Sequence, residues 1–138
     1  MERQDLGALF ARITRRLIDA ETPLLAARDL KMWDYVVLSQ LAQQEAPTQL
    51  ALAQAIAYDK TRLIRLLDDL EGEGLLVREA DPTDRRARIV RLTPAGERRL
   101  AQARADIRAM EEELLGELSD RERKTLLSVL QRLAGEPA

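Results

Sequence analysis

Gly74-Leu75-Leu76-Val77-Arg78-Glu79-Ala80-Asp81-Pro82-Thr83-Asp84-Arg85-Arg86-Ala87-Arg88-Ile89-Val90-Arg91-Leu92-Thr93-Pro94 is the stretch on which the fold class turns. Leu75–Glu79 and Arg88–Leu92 are short runs rich in branched apolar residues and read as strands. Between them, Asp81-Pro82-Thr83-Asp84 has turn chemistry, so the runs are expected to pair as an antiparallel hairpin with a long exposed tip. Gly72 and Gly74 close the element before the hairpin. Thr93-Pro94 supplies a cap and a proline at the first helical position, opening the element after it.

Both flanks read as helix. Upstream, a helix is expected from an N-cap at Asp59 to about Glu71, preceded by a short one from Thr48 to Ile56 burying Leu52, Ala53 and Ile56. A further helix runs from Lys31 to Gln43, with Trp33, Val36, Val37 and Leu41 at helical spacing and Ala46-Pro47-Thr48 as its interruption. At the N-terminus Leu6, Leu9, Phe10, Ile13 and Leu17 form one apolar face. Thr22-Pro23 then fits either a kink or a separate turn up to Arg28. Downstream, Leu100, Ala103, Ile107, Met110 and Leu114 recur at heptad spacing, the mark of a seam packed on another helix. Ser119-Asp120-Arg121-Glu122 is a capping box, and Leu126, Leu127, Leu130 and Leu133 share one face of the helix it opens. The fold class is therefore mainly α with a small two-stranded β-hairpin (α+β).

Composition agrees. The 138 residues amount to one domain, and 25 Leu and 20 Ala against 3% aromatics favour helices over sheet. There is no Cys and no His, which excludes thiolate nucleophiles, disulfides, imidazole bases and the usual zinc sets. The carboxylates that remain, such as Asp68-Asp69 and Glu111-Glu112-Glu113, are sequence neighbours that point in different directions on a helix. No glycine-rich phosphate loop or nucleophile motif accompanies them, so neither catalysis, a cofactor nor a metal is expected. No apolar run is long enough to span a membrane, and Met1-Glu2-Arg3-Gln4-Asp5 lacks signal-peptide order; a cytoplasmic protein is expected.

The net charge is -2, so partners must be inferred from how the charges are distributed. Lys60, Arg62 and Arg65 lie at the start of a helix without an acid among them, where they oppose the helix dipole. Arg85, Arg86, Arg88 and Arg91 follow on the hairpin tip and returning strand, again without an acid. Residues 66–84, between the two clusters, carry seven acids and one base. Each cluster alone is explained by solubility. Together with a short helix, a tight turn and a second helix, they follow the order of a winged helix-turn-helix, with the Asp59–Glu71 helix suited to a major groove.

Leu52-Ala53, the helix from Thr61 to Leu70-Glu71, Gly74-Leu75-Leu76-Val77-Arg78, Asp84-Arg85-Arg86, Leu92-Thr93-Pro94-Ala95-Gly96 and Leu118-Ser119-Asp120-Arg121-Glu122 stand in a specific order and spacing. In these motifs the chain resembles the MarR-type bacterial transcriptional regulators from about Leu30 to Leu133. The resemblance implies a homodimer on pseudo-palindromic double-stranded DNA, often released by a small ligand. It divides the single domain 1–138 into dimerisation helices, 1–30 and 95–138, and a DNA-binding part, 31–94.

Arg62 and Arg65 lie about one turn apart and share a helix face opposite Ile64 and Leu67, which are expected in the core; that face is available to DNA. Lys60 and Thr61 suit phosphate or base contacts, and Thr48 and Gln49 suit backbone phosphates. The resemblance implies Arg86 in or beside the minor groove, Arg85 and Arg88 on phosphate, and Asp68 paired with Arg86 to brace the wing. Asp84 is assigned to the turn. The resemblance also implies an effector site for a small aromatic or apolar molecule, lined by Phe10, Ile13, Trp33 and Tyr35; plain core packing accounts for the same residues. A repressor is the expected activity. The competing reading is a protein-interaction adaptor that keeps the fold without binding DNA, and Arg62, Arg65 and Arg86 on one side discriminate against it.

Overall fold

The computed structural model describes residues 3–45 and 47–135. Met1 and Glu2, on which the signal-peptide expectation partly rests, and Ala46 of the expected helix break lie outside them. The described residues form α1 (Leu6–Ala26), α2 (Met32–Gln43), α3 (Gln49–Ala55), α4 (Lys60–Gly72), β1 (Leu76–Ala80), β2 (Arg88–Leu92), α5 (Pro94–Leu114) and α6 (Asp120–Leu133). The strands pair antiparallel from Leu76 opposite Leu92 to Ala80 opposite Arg88. A bridge between Thr48 and Ile89, and the Val90 N–H donating to Pro47 O at 2.9 Å, tie the start of α3 to the hairpin.

Caps account for most of the boundaries. Thr48, Asp59, Thr93 and Ser119 each accept a backbone N–H inside the helix they open. Gly74 closes α4 with a φ of +77°, donating to Glu71 O at 2.9 Å while Leu75 N–H donates to Leu70 O at 3.0 Å. That second bond keeps Leu75 out of β1, which begins one residue later than the sequence implies. The ambiguity at Thr22-Pro23 resolves as one helix. α1 runs through Pro23, and the Thr22 hydroxyl donates to Ile18 O at 2.7 Å.

The core lies among α2, α3, α4 and the hairpin: Leu38, Leu52, Leu63, Leu67, Leu70, Leu75, Leu76 and Val90 are all but sealed from solvent. On α4 the buried residues are Leu63, Leu67 and Leu70, whereas Ile64 is only partly covered. This corrects the expected core position by one residue, because the i, i+4, i+7 stripe through Leu67 begins at Leu63. Ile56 is likewise only partly covered. The α5 seam is buried at Leu100, Ala103 and Ile107, where it meets α1 and α2. The terminal helices differ. α6 buries none of its residues, and Leu6 of α1 is 61% exposed, Leu127 56% and Leu133 73%.

Candidate nucleic-acid interface

α4 turns Leu63, Leu67 and Leu70 inward, which leaves Lys60, Thr61, Arg62 and Arg65 exposed on its other side. Cations in the first turn oppose the helix dipole, and the Asp59 carboxylate, accepting from Arg62 N–H at 3.0 Å, partly offsets them. Thr48 caps α3, its hydroxyl oxygen accepting from Ala51 N–H at 3.0 Å, which leaves the hydroxyl proton free to donate outward.

The hairpin tip is built by its two aspartates. Asp81 Oδ1 accepts from the Thr83 N–H at 2.9 Å and hydroxyl at 2.8 Å, and these bonds hold its carboxyl below the usual range. Asp84 Oδ1 accepts from Arg86 N–H at 3.0 Å, and Asp84 O from Ala87 N–H at 3.0 Å. The tip thereby carries Arg85 and Arg86 outward, with Arg88 exposed at the start of β2. Lys60, Arg62, Arg65, Arg85, Arg86 and Arg88 are all exposed, and none forms an ion pair among the described residues. Arg28, Arg78, Arg91, Arg108 and Arg123 all have carboxylate partners.

Arg78 overturns the expected brace. Asp68 pairs with Arg78 on β1 rather than with Arg86 at the tip. The same guanidinium donates to Glu71 Oε1 at 2.8 Å and to Gln49 Oε1 at 3.3 Å, and Arg78 N–H donates to Glu71 Oε2 at 3.0 Å. One arginine so joins α3, α4 and β1, and its bonds hold the Glu71 carboxyl below the usual range. Physically, Arg78 lies on the strand, next to α4, whereas Arg86 is carried away on the turn. Sequence reasoning placed Arg78 in the Gly74–Arg78 motif and counted it as the lone base of an acidic stretch, but gave it no role. The available signal was alternation: Arg78 shares a strand face with the buried Leu76, which turns it toward α4.

The expected effector residues do not meet in one cavity among the described residues. Phe10 lines a depression on the outer side of α1 with Ala11, Thr14 and Ile18, and Ile13 is exposed. Trp33 instead stacks on Tyr58, ring centroids 4.3 Å apart, beside Met32 and Leu66, while Tyr35 packs against the core. α1 is covered only in its C-terminal half, at Leu17, Ala20, Glu21, Leu24 and Leu25, and every described residue before Leu17 is exposed, so Phe10 and Ile13 stand apart from the α2 aromatics.

The MarR family model matches residues 30–87. The transcriptional regulator HosA of Escherichia coli O111:H- is 35% identical over 105 residues, which cover 76% of this chain and 78% of that protein. The chain belongs to the MarR family of transcriptional regulators. A second relative, a Thauera aromatica protein named for transcriptional regulation of an hcr operon, is 35% identical over 99 residues, or 72% of this chain; the match spans only 60% of that protein. Among solved structures, the transcriptional repressor CouR bound to a 23-mer DNA duplex superposes with a TM-score of 0.81 at 30% identity, covering 97% of this chain and 99% of CouR. The winged-helix architecture of the family thus holds across nearly the whole chain. In the described residues no helix is long and apolar enough to cross a membrane.

Proposed function

We propose that this MarR-family chain is a homodimeric, sequence-specific repressor that binds pseudo-palindromic double-stranded DNA. α4 reads the major groove through Arg62 and Arg65, with Lys60 and Thr61 at its start. The wing sets Arg86 in or beside the minor groove and Arg85 and Arg88 on phosphate, while Thr48 and Gln49 meet backbone phosphates. The observation that carries this reading is the contrast between the six exposed, unpaired cations of α4 and the wing and the carboxylate-bound Arg78 and Arg91 on the same hairpin. α1 also carries three exposed cations without an ion pair among the described residues, Arg12, Arg15 and Arg16, so the reading rests on two such sets lying together on adjacent elements rather than on either set alone. The repressor function and the DNA partner also accord with the CouR complex.

The homodimer is supported by the uncovered apolar faces of α1 and α6, at Leu6, Phe10, Ile13, Leu127 and Leu133. Selection from a randomised duplex pool tests the DNA reading, with an inverted repeat as the enriched product; a pool that shows no enrichment ends it. Relief by a small aromatic or apolar effector completes the proposal, supported by the half-exposed Trp33 on Tyr58. Trp33 is the single tryptophan, so quenching of its fluorescence in parallel with DNA release is the expected signature.

A further inference from the structure

Gln49 opens α3, and its side-chain carbonyl oxygen is held by Arg78 Nη1 at 3.3 Å. In a planar amide the oxygen and nitrogen diverge from the same carbon, so an oxygen turned toward Arg78 turns the NH2 group away from it. Among the described residues that nitrogen has no protein partner, and it is not among their buried unpaired atoms. It is a free donor beside the wing: Gln49, Ile64, Glu71, Arg78 and Arg88 line one depression of about 320 Å³. We propose that Arg78 is a positioning residue for DNA binding, which fixes the Gln49 amide with its NH2 outward as a donor to phosphate.

The chemistry requires that orientation. Phosphate oxygens only accept hydrogen bonds, so a reversed amide would present oxygen to oxygen. Asp68 and Glu71 surround the guanidinium, and without it the Glu71 carboxylate in the same depression attracts the NH2 end and reverses the amide. Arg78 does this without supplying charge to the DNA, because two carboxylates offset its one cation and its side chain is only 16% exposed. Arg86 has neither partner and belongs to a different class. The inference rests on the DNA-binding reading and adds a residue that this reading does not use.

Dissociation constants are measured for the wild-type chain, Arg78→Lys, Gln49→Ala and the double variant, on a duplex the wild type selects from a randomised pool. Lysine keeps the charge but lacks the fork that reaches both carboxylates and the amide. Each single variant is expected to bind about fivefold more weakly, the scale of one hydrogen bond, with the salt slope unchanged. The double variant is expected to be no weaker than Gln49→Ala alone. Multiplying losses, or a reduced salt slope in Arg78→Lys, would overturn positioning and make Arg78 a structural or phosphate-binding residue. Gln49→Glu keeps the partner of Arg78 and needs no repacking, yet it turns an oxygen toward DNA; it is expected to bind more weakly than Gln49→Ala with an unchanged melting temperature. Wild-type affinity in Gln49→Glu overturns the proposal. Absence of any selected duplex removes the DNA-binding reading itself, an outcome distinct from additivity in a chain that binds.

Discussion

Gly96, in the first turn of α5, lies so close to Leu75 that a Cβ at position 96 would stand 2.0 Å from the Leu75 carbonyl oxygen. Leu75 is not free to yield. Its N–H donates to Leu70 O at 3.0 Å, its carbonyl accepts from Thr93 N–H at 3.1 Å, and the Thr93 hydroxyl donates to Gly74 O at 2.6 Å. The close approach welds the end of α4, the start of β1 and the start of α5 into one corner, and so sets the hairpin relative to α4.

Gly96→Ala is expected to cost about 1–3 kcal/mol, the range for forcing extra atoms into a packed site. Urea denaturation measures this directly. A wild-type midpoint would mean that the corner moves freely.

Ala57 carries a φ of +52° in the turn between α3 and α4, where Tyr58 N–H donates to Ala53 O at 3.0 Å. A left-handed conformation costs a residue with a Cβ about 1–2 kcal/mol, and glycine avoids this at the expense of about 0.4–1 kcal/mol of unfolded-chain entropy. The strain term is the larger. Ala57→Gly is therefore expected to raise stability by several tenths of a kcal/mol without weakening DNA binding, and a lowered unfolding midpoint would refute the strain argument.

Glu71 provides a pH signature. Its carboxyl is held below the ordinary value, chiefly by the side-chain bond from Arg78. A depressed native pKa contributes stability that is complete above the unfolded value, about 4.3 for glutamate, and is lost as pH falls through the native value. Asp106 on α5, lowered by Arg28 in the turn after α1, acts in the same direction. Glu71→Gln is expected to flatten the acid limb of stability against pH while leaving Asp106's share. An acid limb identical to that of the wild type would show that the Arg78 pair adds nothing to folding.

The hairpin, its caps and the helix order were legible because they are local: Thr93-Pro94, Asp59 and Ser119 each act within a turn of their own position, and short runs of branched apolar residues mark the strands. The partner of Asp68 was not, because which arginine reaches a carboxylate on α4 depends on where the hairpin lies against that helix. Arg78 and Arg86 are both near Asp68 in sequence, and only the strand position brings one of them to it. The shift from Ile64 to Leu63 has the same origin, since helical spacing defines a stripe while neighbouring elements decide where it is centred. The aromatic residues Phe10 and Trp33 each have helical spacing on their own helix, and nothing local to either reveals that the N-terminal half of α1 extends beyond the packed part and leaves the two in separate depressions.

Phe10→Glu places a charge on the uncovered N-terminal half of α1, where Phe10 is 43% exposed in the single chain and the depression it lines is formed by α1 residues alone. If that face and α6 join two copies, the variant is expected to become monomeric at micromolar concentration, by light scattering, with its secondary structure intact. A dimer that survives Phe10→Glu and Leu127→Glu together would move the interface elsewhere.

An acidic chain, of net charge -2, can bind a polyanion only if its cations are concentrated where the phosphates lie. Arg65 and Arg86 are exposed and unpaired, whereas Arg91, on the strand that returns from the tip, is held 3.7 Å from Glu79. The three therefore separate direct binding from mere proximity. Arg65→Ala and Arg86→Ala are each expected to cost about 1–3 kcal/mol of DNA affinity, the first with altered preference at one base position and the second more uniformly across sequences. Arg91→Ala is expected to cost less than either, because the Arg91 cation is already offset by Glu79 and the acid left behind, half exposed, adds only a screened repulsion. Every phosphate that a variant no longer neutralises lowers the slope of log affinity against log salt by about 0.9, so Arg86→Ala should flatten it by roughly that amount and Arg91→Ala by much less. With so little general positive field, scrambled duplexes are expected to bind weakly to every variant, and the ratio of selected to scrambled affinity should fall most for Arg65→Ala. Gel-shift titrations across salt concentrations read all of these quantities together. Equal losses for Arg65→Ala, Arg86→Ala and Arg91→Ala would mean that overall charge governs binding and that the exposed cations of α4 and the wing have no special place in it.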